Sequence, residues 1–437
     1  MSDTAFPAGA YVAGIGLYIL RLRAQRGVTQ AELAGIEFTR AYVSSIEGGK
    51  RTPSPRAAGY FASRLGLDFE DLCYGYAPGR RRALLKEAAQ ARIALSRGEL
   101  ERATAAYSAL SAEAEEHHDR TLLAAGRCGL GLVARHRGDP GAADVLFQEA
   151  DAFLAGQPLT DRLPALMGRM WALFAGGFIG DALAHAAEHL RQAGPAPAPA
   201  VEFALLAASG LPHVEQGDLT RAGAVADAAL RLAPEVSEPE VLAQGYYHLN
   251  RVLVAQARHD EAEQSIVRAT ALYEHLQLLT EVGMCRFAHG FLSARRGRLS
   301  EAETQLRQAR TILGDTGAIS RLVNASAELA EVLRRLGRAE EAATLVEECR
   351  ALALDYQDPE QVAELDRIGA HVAVDLGDAP TAEALFRSAI DRYQAVGATL
   401  EVATTCRLFG DQLISWGRTD EAASVYRRGL MSLERTQ

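Results

Sequence analysis

His185-Ala186-Ala187-Glu188-His189 has the HxxEH spacing of an inverted zinc-peptidase motif, with two imidazoles and a carboxylate on one stretch of helix. No partner motif accompanies it, and His189 falls in a packed column of the repeat described below, so coincidence is the preferred reading and a zinc peptidase the remote alternative. His117 and His118 are adjacent rather than one helical turn apart and suit a solvated helix start. Cys73, Cys128, Cys285, Cys349 and Cys406 form no CxxC pair, which excludes a zinc ribbon or thioredoxin motif and fits a reducing compartment. There is no Walker A loop and no nucleophile elbow. The expectation is a protein without catalytic activity, metal or cofactor. A second set of side chains offers a different chemistry. On a short helix expected over Arg40 to Glu47, Val43 and Ile46 turn inward, leaving Arg40, Ala41, Ser44 and Ser45 on the outer face.

The elements that must position that face are legible around it. Ile15, Ile19 and Leu22 mark one side of a first helix, which Gly27 ends after the basic Arg26. Thr29 followed by Glu32 is a capping box opening a short second helix that ends at Ala34 and Gly35. Thr39 caps the third helix, and Gly48-Gly49 stops it. Pro53-Ser54-Pro55 opens a fourth, with Tyr60, Phe61 and Leu65 as core candidates, and Leu67 to Leu72 supplies a fifth. Five short helices with a tight turn between the second and third describe a helix-turn-helix. Residues 1–82 carry eleven Lys+Arg against seven Asp+Glu, whereas the whole chain has a net charge of −10. A basic head on an acidic body suits a tethered DNA-binding module.

The stretch from Val28 to Ala34, with Thr39 through Ser54, resembles the lambda-repressor/Cro-like (XRE-type) DNA-binding domain, and the likeness covers residues 15–72. One departure is the Gly35-Ile36-Glu37-Phe38 connection, about one residue shorter than the commonest form. The resemblance implies that the third helix enters the major groove of double-stranded DNA. It makes Arg40, Ala41 and Ser44 base readers, with Ser45 a further candidate. It also gives phosphate contacts to Gln30, Thr39, Tyr42, Lys50 and Arg51, and a structural ion pair to Arg23 and Glu47.

From residue 83 onward a repeat dominates. Gly98, Gly138, Gly177, Gly217, Ala257, Gly297, Gly337, Gly377 and Gly417 are spaced by 40 residues, once by 39. Alanine stands five positions after each, from Ala103 to Ala422, and an apolar residue nine after. The columns twelve after and seven before are mostly small. This pattern resembles the tetratricopeptide repeat, lengthened from the usual period of about 34. It implies nine helical hairpins stacked over residues 83–434 as a solenoid with a concave face.

In such repeats the first helix of each hairpin lines that face. The ligand-binding candidates are Arg135, Trp171, Phe174, Gln244, Tyr247, Asn250, Arg251, Phe287, Phe291, Arg295, Asn324 and Arg334. Met167, Met284, His136, Arg335 and His371 share their register. Rings, amides and guanidinium groups suit an extended peptide, and the alternative is a helix-packing and solvated surface.

The fold expected is all-α: residues 1–14 a tail, 15–75 the helix-turn-helix domain, 76–82 a linker and 83–437 the solenoid. Head plus solenoid is similar to the peptide-pheromone-responsive regulators of Gram-positive bacteria. That likeness implies a homodimeric bacterial transcription regulator on a dyad-symmetric operator, sensing a peptide or small-molecule effector. The alternative is an interaction scaffold recruited to DNA. Only Lys50 and Lys86 are lysine among 46 basic residues, a bias of GC-rich genomes. No run reaches the 18 or so apolar residues of a membrane span, and no signal peptide is evident, so a cytoplasmic location is expected.

Overall fold

The computed structural model describes residues 14–355 and 358–434, so residues 1–13 of the expected tail lie outside the described residues. Among the described residues the regular elements are 23 α-helices and one 3-10 turn at Ala233–Glu235.

The first five are α1 (Ile15–Gln25), α2 (Gln30–Ala34), α3 (Arg40–Glu47), α4 (Pro55–Arg64) and α5 (Phe69–Tyr74). They share a core of Ile15, Ile19, Leu22, Leu33, Val43, Ile46, Phe61, Leu65 and Leu72. The expected caps form. Thr29 Oγ1 accepts from the Glu32 amide at 3.1 Å, and the Glu32 carboxylate accepts from the Thr29 amide at 2.6 Å. Thr39 Oγ1 accepts from the Tyr42 amide at 3.2 Å, opening α3. Gly16 lets α1 cross α3 backbone to backbone: a Cβ there would sit 1.9 Å from the Ile46 carbonyl oxygen. The fifth helix starts two residues later than Leu67. Gly66, at φ +62°, turns the chain, Leu67 packs on the core, and Asp68 stays extended ahead of α5.

Nine hairpins follow among the described residues. They are α6/α7 (Arg80–Ser96, Leu100–Glu116), α8/α9 (Arg120–His136, Pro140–Phe153), α10/α11 (Leu159–Ala175, Ile179–Ala193), α12/α13 (Pro199–Glu215, Leu219–Leu232) and α14/α15 (Pro239–Ala255, His259–His275). The others are α16/α17 (Leu279–Arg295, Leu299–Asp315), α18/α19 (Ile319–Arg335, Ala339–Asp355), α20/α21 (Pro359–Asp375, Ala379–Ala395) and α22/α23 (Thr399–Ser415, Thr419–Glu434). Each marker residue carries the turn with a left-handed backbone, φ running from 74° to 82° for the glycines and 57° for Ala257. The alanines five positions on are all buried. The small column seven before the marker exists because the apolar residue nine after packs onto it. A Cβ on Gly131 would lie 2.9 Å from the Phe147 ring, and one on Gly290 would lie 2.6 Å from Leu306.

The expected linker is not an open connection. Tyr76 is buried and stacks near His117, ring centroids 3.9 Å apart, and α6 begins at Arg80 rather than after residue 82. Asp71 of α5 accepts from the Gly79 amide at 2.6 Å and the Arg81 amide at 3.1 Å. The Arg81 guanidinium reaches Asp119 at 2.7 Å and Glu70 at 3.1 Å, and Tyr18 Oη donates to the Tyr76 carbonyl at 2.6 Å. Arg80 and Arg82 pair with Glu113 and Asp68, so all three arginines of the segment are held by carboxylates. The chain accordingly divides into one compact unit running to Leu95 and over Glu99–Ala193, which contains the helix-turn-helix and its adjoining hairpins, and another of Ser96–Gly98 and Gly194–Gln437.

Two stability effects follow from these features. A left-handed alanine costs about 1 kcal/mol relative to glycine. Ala257→Gly is expected to raise unfolding stability by about that amount in a urea titration. Arg81→Ala leaves Asp119 buried without its cation and is expected to cost on the order of 3 kcal/mol, read from the unfolding of the first compact unit.

Candidate nucleic-acid interface

The outer face of α3 is bare. Thr39, Arg40, Ala41 and Ser44 are exposed, Ser45 is half-buried, and Arg40 makes no ion pair among the described residues. Behind this face the helix is fixed. Glu47 is buried and accepts from Arg23 Nε at 2.6 Å, from Arg23 Nη2 at 3.1 Å and from Gln30 Nε2 at 2.7 Å. Arg23 Nη1 also donates to the Val28 carbonyl at 2.7 Å, tying the end of α1 to the α1–α2 turn. The hydrogen-bonded carboxylate raises the pKa of Arg23 above its usual value, so the guanidinium stays charged. Gln30 is therefore half-buried with its amide nitrogen on Glu47, a link between α2 and α3 as well as a surface group.

Tyr42 is half-buried and stacks on Phe38 at 5.3 Å between centroids, with the Arg51 guanidinium 5.6 Å over its ring. Phe38 closes the short α2–α3 connection against Tyr60 and Phe61, which is how a turn one residue short still aims α3. Lys50 and Arg51 are exposed beyond the end of α3, flanking its outer face.

The ligand candidates fall into separate sets. In the first unit Arg135 lies 5.1 Å over the Trp171 ring, and Phe174 is half-buried. In the second unit α14, α16, α18 and α20 pack side by side. Phe287 and Phe291 lie 6.4 Å apart, with Arg295 4.6 Å over the Phe291 ring and Tyr247 packed against the same apolar cluster. Gln244 is half-buried, and Arg251 and Asn324 are exposed.

One candidate is corrected, and a second is already engaged within the fold. Asn250 is buried inside its hairpin, donating to the Ala262 carbonyl at 3.0 Å, because it occupies the column that packs onto the following helix. The Arg334 guanidinium is already held by Glu331 at 2.8 Å and Asp375 at 2.9 Å. The HxxEH histidines also separate from their glutamate. His185 and His189 form an edge-to-face pair, burial lowers the pKa of His185 to about 4, and Glu188 turns toward solvent and Gln192.

One residue escaped the sequence reading. Glu328 of α18 is half-buried near Arg295, and it makes no hydrogen bond among the described residues. Burial pushes its carboxyl up to about 7, aided by Glu331 and Glu364 and opposed by Arg295 and Arg335. The signal was an acid set between Ala327 and Leu329 on an otherwise apolar stretch.

Comparison with known proteins places these features. Residues 15–72 match the family described as "Helix-turn-helix domain", so the head is a member of that family. No curated protein matches the chain. The solved structure of a Rap protein complexed with Competence and Sporulation Factor is similar with a TM-score of 0.55 and 12% identity, covering 81% of this chain and 98% of that one. The apo form of the quorum sensor NprR from B. thuringiensis gives 0.52 and 14%, covering 80% and 99%. Apo RapI gives 0.52 and 11%, covering 81% and 98%. These likenesses establish the fold as a tetratricopeptide-like helical array. Among the described residues no helix is long and apolar enough to cross a membrane.

The raised carboxyl has a signed consequence. A Glu with a folded pKa near 7 and an ordinary value of 4.5 costs the folded state progressively as pH rises between those values. Glu328→Gln is expected to raise stability by on the order of 1–3 kcal/mol at pH 8 and to change nothing at pH 4, read from melting temperatures across that range.

Proposed function

We propose that this chain is a sequence-specific DNA-binding regulator that acts as a homodimer and takes a peptide or small-molecule signal on its repeats. The observation that carries the reading is the bare outer face of α3, with Arg40, Ala41 and Ser44 exposed on a helix anchored from behind by Arg23, Glu47 and Gln30. A guanidinium at Arg40 suits bidentate pairing with guanine O6 and N7, worth about 1–3 kcal/mol of discrimination, and Ala41 suits a thymine methyl. Thr39, Tyr42, Lys50 and Arg51 surround them as phosphate contacts that set register.

One eight-residue helix reads few base pairs, so two heads are expected on half-sites about 34–36 Å apart in a dyad-symmetric operator. The rings and guanidinium of Phe287, Phe291 and Arg295 suit a peptide's side chains and carboxylate. The neighbours named a quorum sensor and a Rap protein complexed with Competence and Sporulation Factor support the same use of this fold. A signal regulates only by binding one arrangement of the repeats better than another. This role is non-catalytic and belongs in the cytoplasm.

Selection of bound sequences from random DNA tests the head. The expected motif is palindromic. Arg40→Ala should cut the ratio of specific to random binding by about tenfold or more, whereas Lys50→Ala should weaken both alike and flatten the salt dependence. Equal losses on both DNAs for Arg40→Ala would overturn its role.

A further inference from the structure

We propose that Glu263, His289 and Glu301 form a binding site for a divalent transition-metal ion of the zinc class. The three come from α15, α16 and α17, three successive helices of the second compact unit. His289 Nε2 faces both carboxylates, 3.4 Å from Glu301 Oε1 and 3.7 Å from Glu263 Oε1. One potential ligand atom from each residue lies within 4.8 Å of the other two. Four-coordinate zinc, with bonds of about 2.0–2.2 Å, holds neighbouring ligand atoms about 3.3 Å apart. The two distances from the imidazole nitrogen, 3.4 and 3.7 Å, are close to that figure before any ion draws the groups in.

The second observation is the imidazole itself. His289 Nε2 is shut off from solvent and makes no hydrogen bond. Its distances to both oxygens exceed those of a charge-assisted hydrogen bond, about 2.7–2.9 Å, so proton sharing does not satisfy it. An ion lying between the nitrogen and the two oxygens would.

The surrounding arginines occupy the other carboxylate atoms. Arg296 Nη1 holds Glu263 Oε2 at 2.9 Å and Asp260 at 2.8 Å, and Arg298 Nη1 holds Glu301 Oε2 at 3.2 Å. They leave Oε1 of Glu301 toward the histidine, as outer partners of metal ligands commonly do. Arg298 Nη1 also touches Glu263 Oε1 at 3.0 Å, and that contact must loosen when the ion enters. Imidazole in the donor set selects zinc, cobalt or nickel over magnesium and calcium. Because α15 closes one hairpin and α16 and α17 form the next, a bound ion would clamp the two together.

The test is calorimetric titration of the metal-free full-length protein with zinc chloride, and separately with magnesium chloride. The expected result is one saturable zinc site per chain, little magnesium binding, and a rise in melting temperature with zinc. His289→Ala and the milder Glu301→Gln should each weaken zinc binding by at least about tenfold, whereas His185→Ala should not. Circular dichroism of each metal-free variant confirms that it is folded. Cobalt(II) bound to the wild type should give the intense visible absorption of a four-coordinate site, lost in His289→Ala. Absence of a saturable zinc site, or undiminished binding in folded His289→Ala and Glu301→Gln, would overturn the proposal.

Discussion

Arg81 is the point on which the arrangement of the first compact unit depends. Its guanidinium is buried between Asp119 of the repeats and Glu70 of the helix-turn-helix, while its backbone amide is held by buried Asp71. A cation taken out of water is tolerable only when carboxylates replace its hydration, and a carboxylate there is tolerable only while the cation stays. The hub therefore favours one placement of the head on α6 and α8 over loose alternatives. The Tyr74 ring lies 5.4 Å from the guanidinium, and Tyr76 joins Tyr18 of the head to His117 of the repeats. The head is thus a continuation of the repeats, so the direction in which α3 points is inherited from the hairpins beside it.

The same logic, one polar cluster behind one working face, recurs within the head. Glu47 gathers Arg23 and Gln30 from two other helices, and Gly16 brings α1 onto the backbone of α3. These contacts are all made on the inner side of α3. The outer side is left with groups whose hydrogen bonds are unspent, which is the chemical condition for recognising another molecule. A helix face held rigid before it meets a partner spares that encounter the ordering entropy a loose one would cost.

Much of this was legible in the sequence because the responsible constraints leave residue-level marks. A left-handed turn marks its place with glycine, and a helix pair in close approach marks its place with alanine, so the spacing alone implies nine hairpins. Caps were equally plain at Thr29 and Thr39. What escaped was decided by partners distant in the chain. Tyr76 to Arg82 looks like a linker, with its Pro-Gly and charge, until Asp71, Glu113 and Asp119 are brought to it. Asn250 resembles a recognition amide, yet its register places it against the Ala262 carbonyl. Glu328 shows in the sequence only as an acid between apolar neighbours, and the burial that raises its pKa comes from the packed fold. Of the candidate DNA contacts, the exposed face of α3 was readable from periodicity, while the second duty of Gln30 needed the fold.

The forty-residue spacing between left-handed turns has an evolutionary side. A segment cut at one such turn and rejoined at the next meets the same left-handed backbone at both ends, and within each compact unit a hairpin packs on its neighbours in sequence. Unequal recombination could therefore insert or excise whole hairpins in register. Lineages built this way can change the length of the helical array while the helix-turn-helix stays the same.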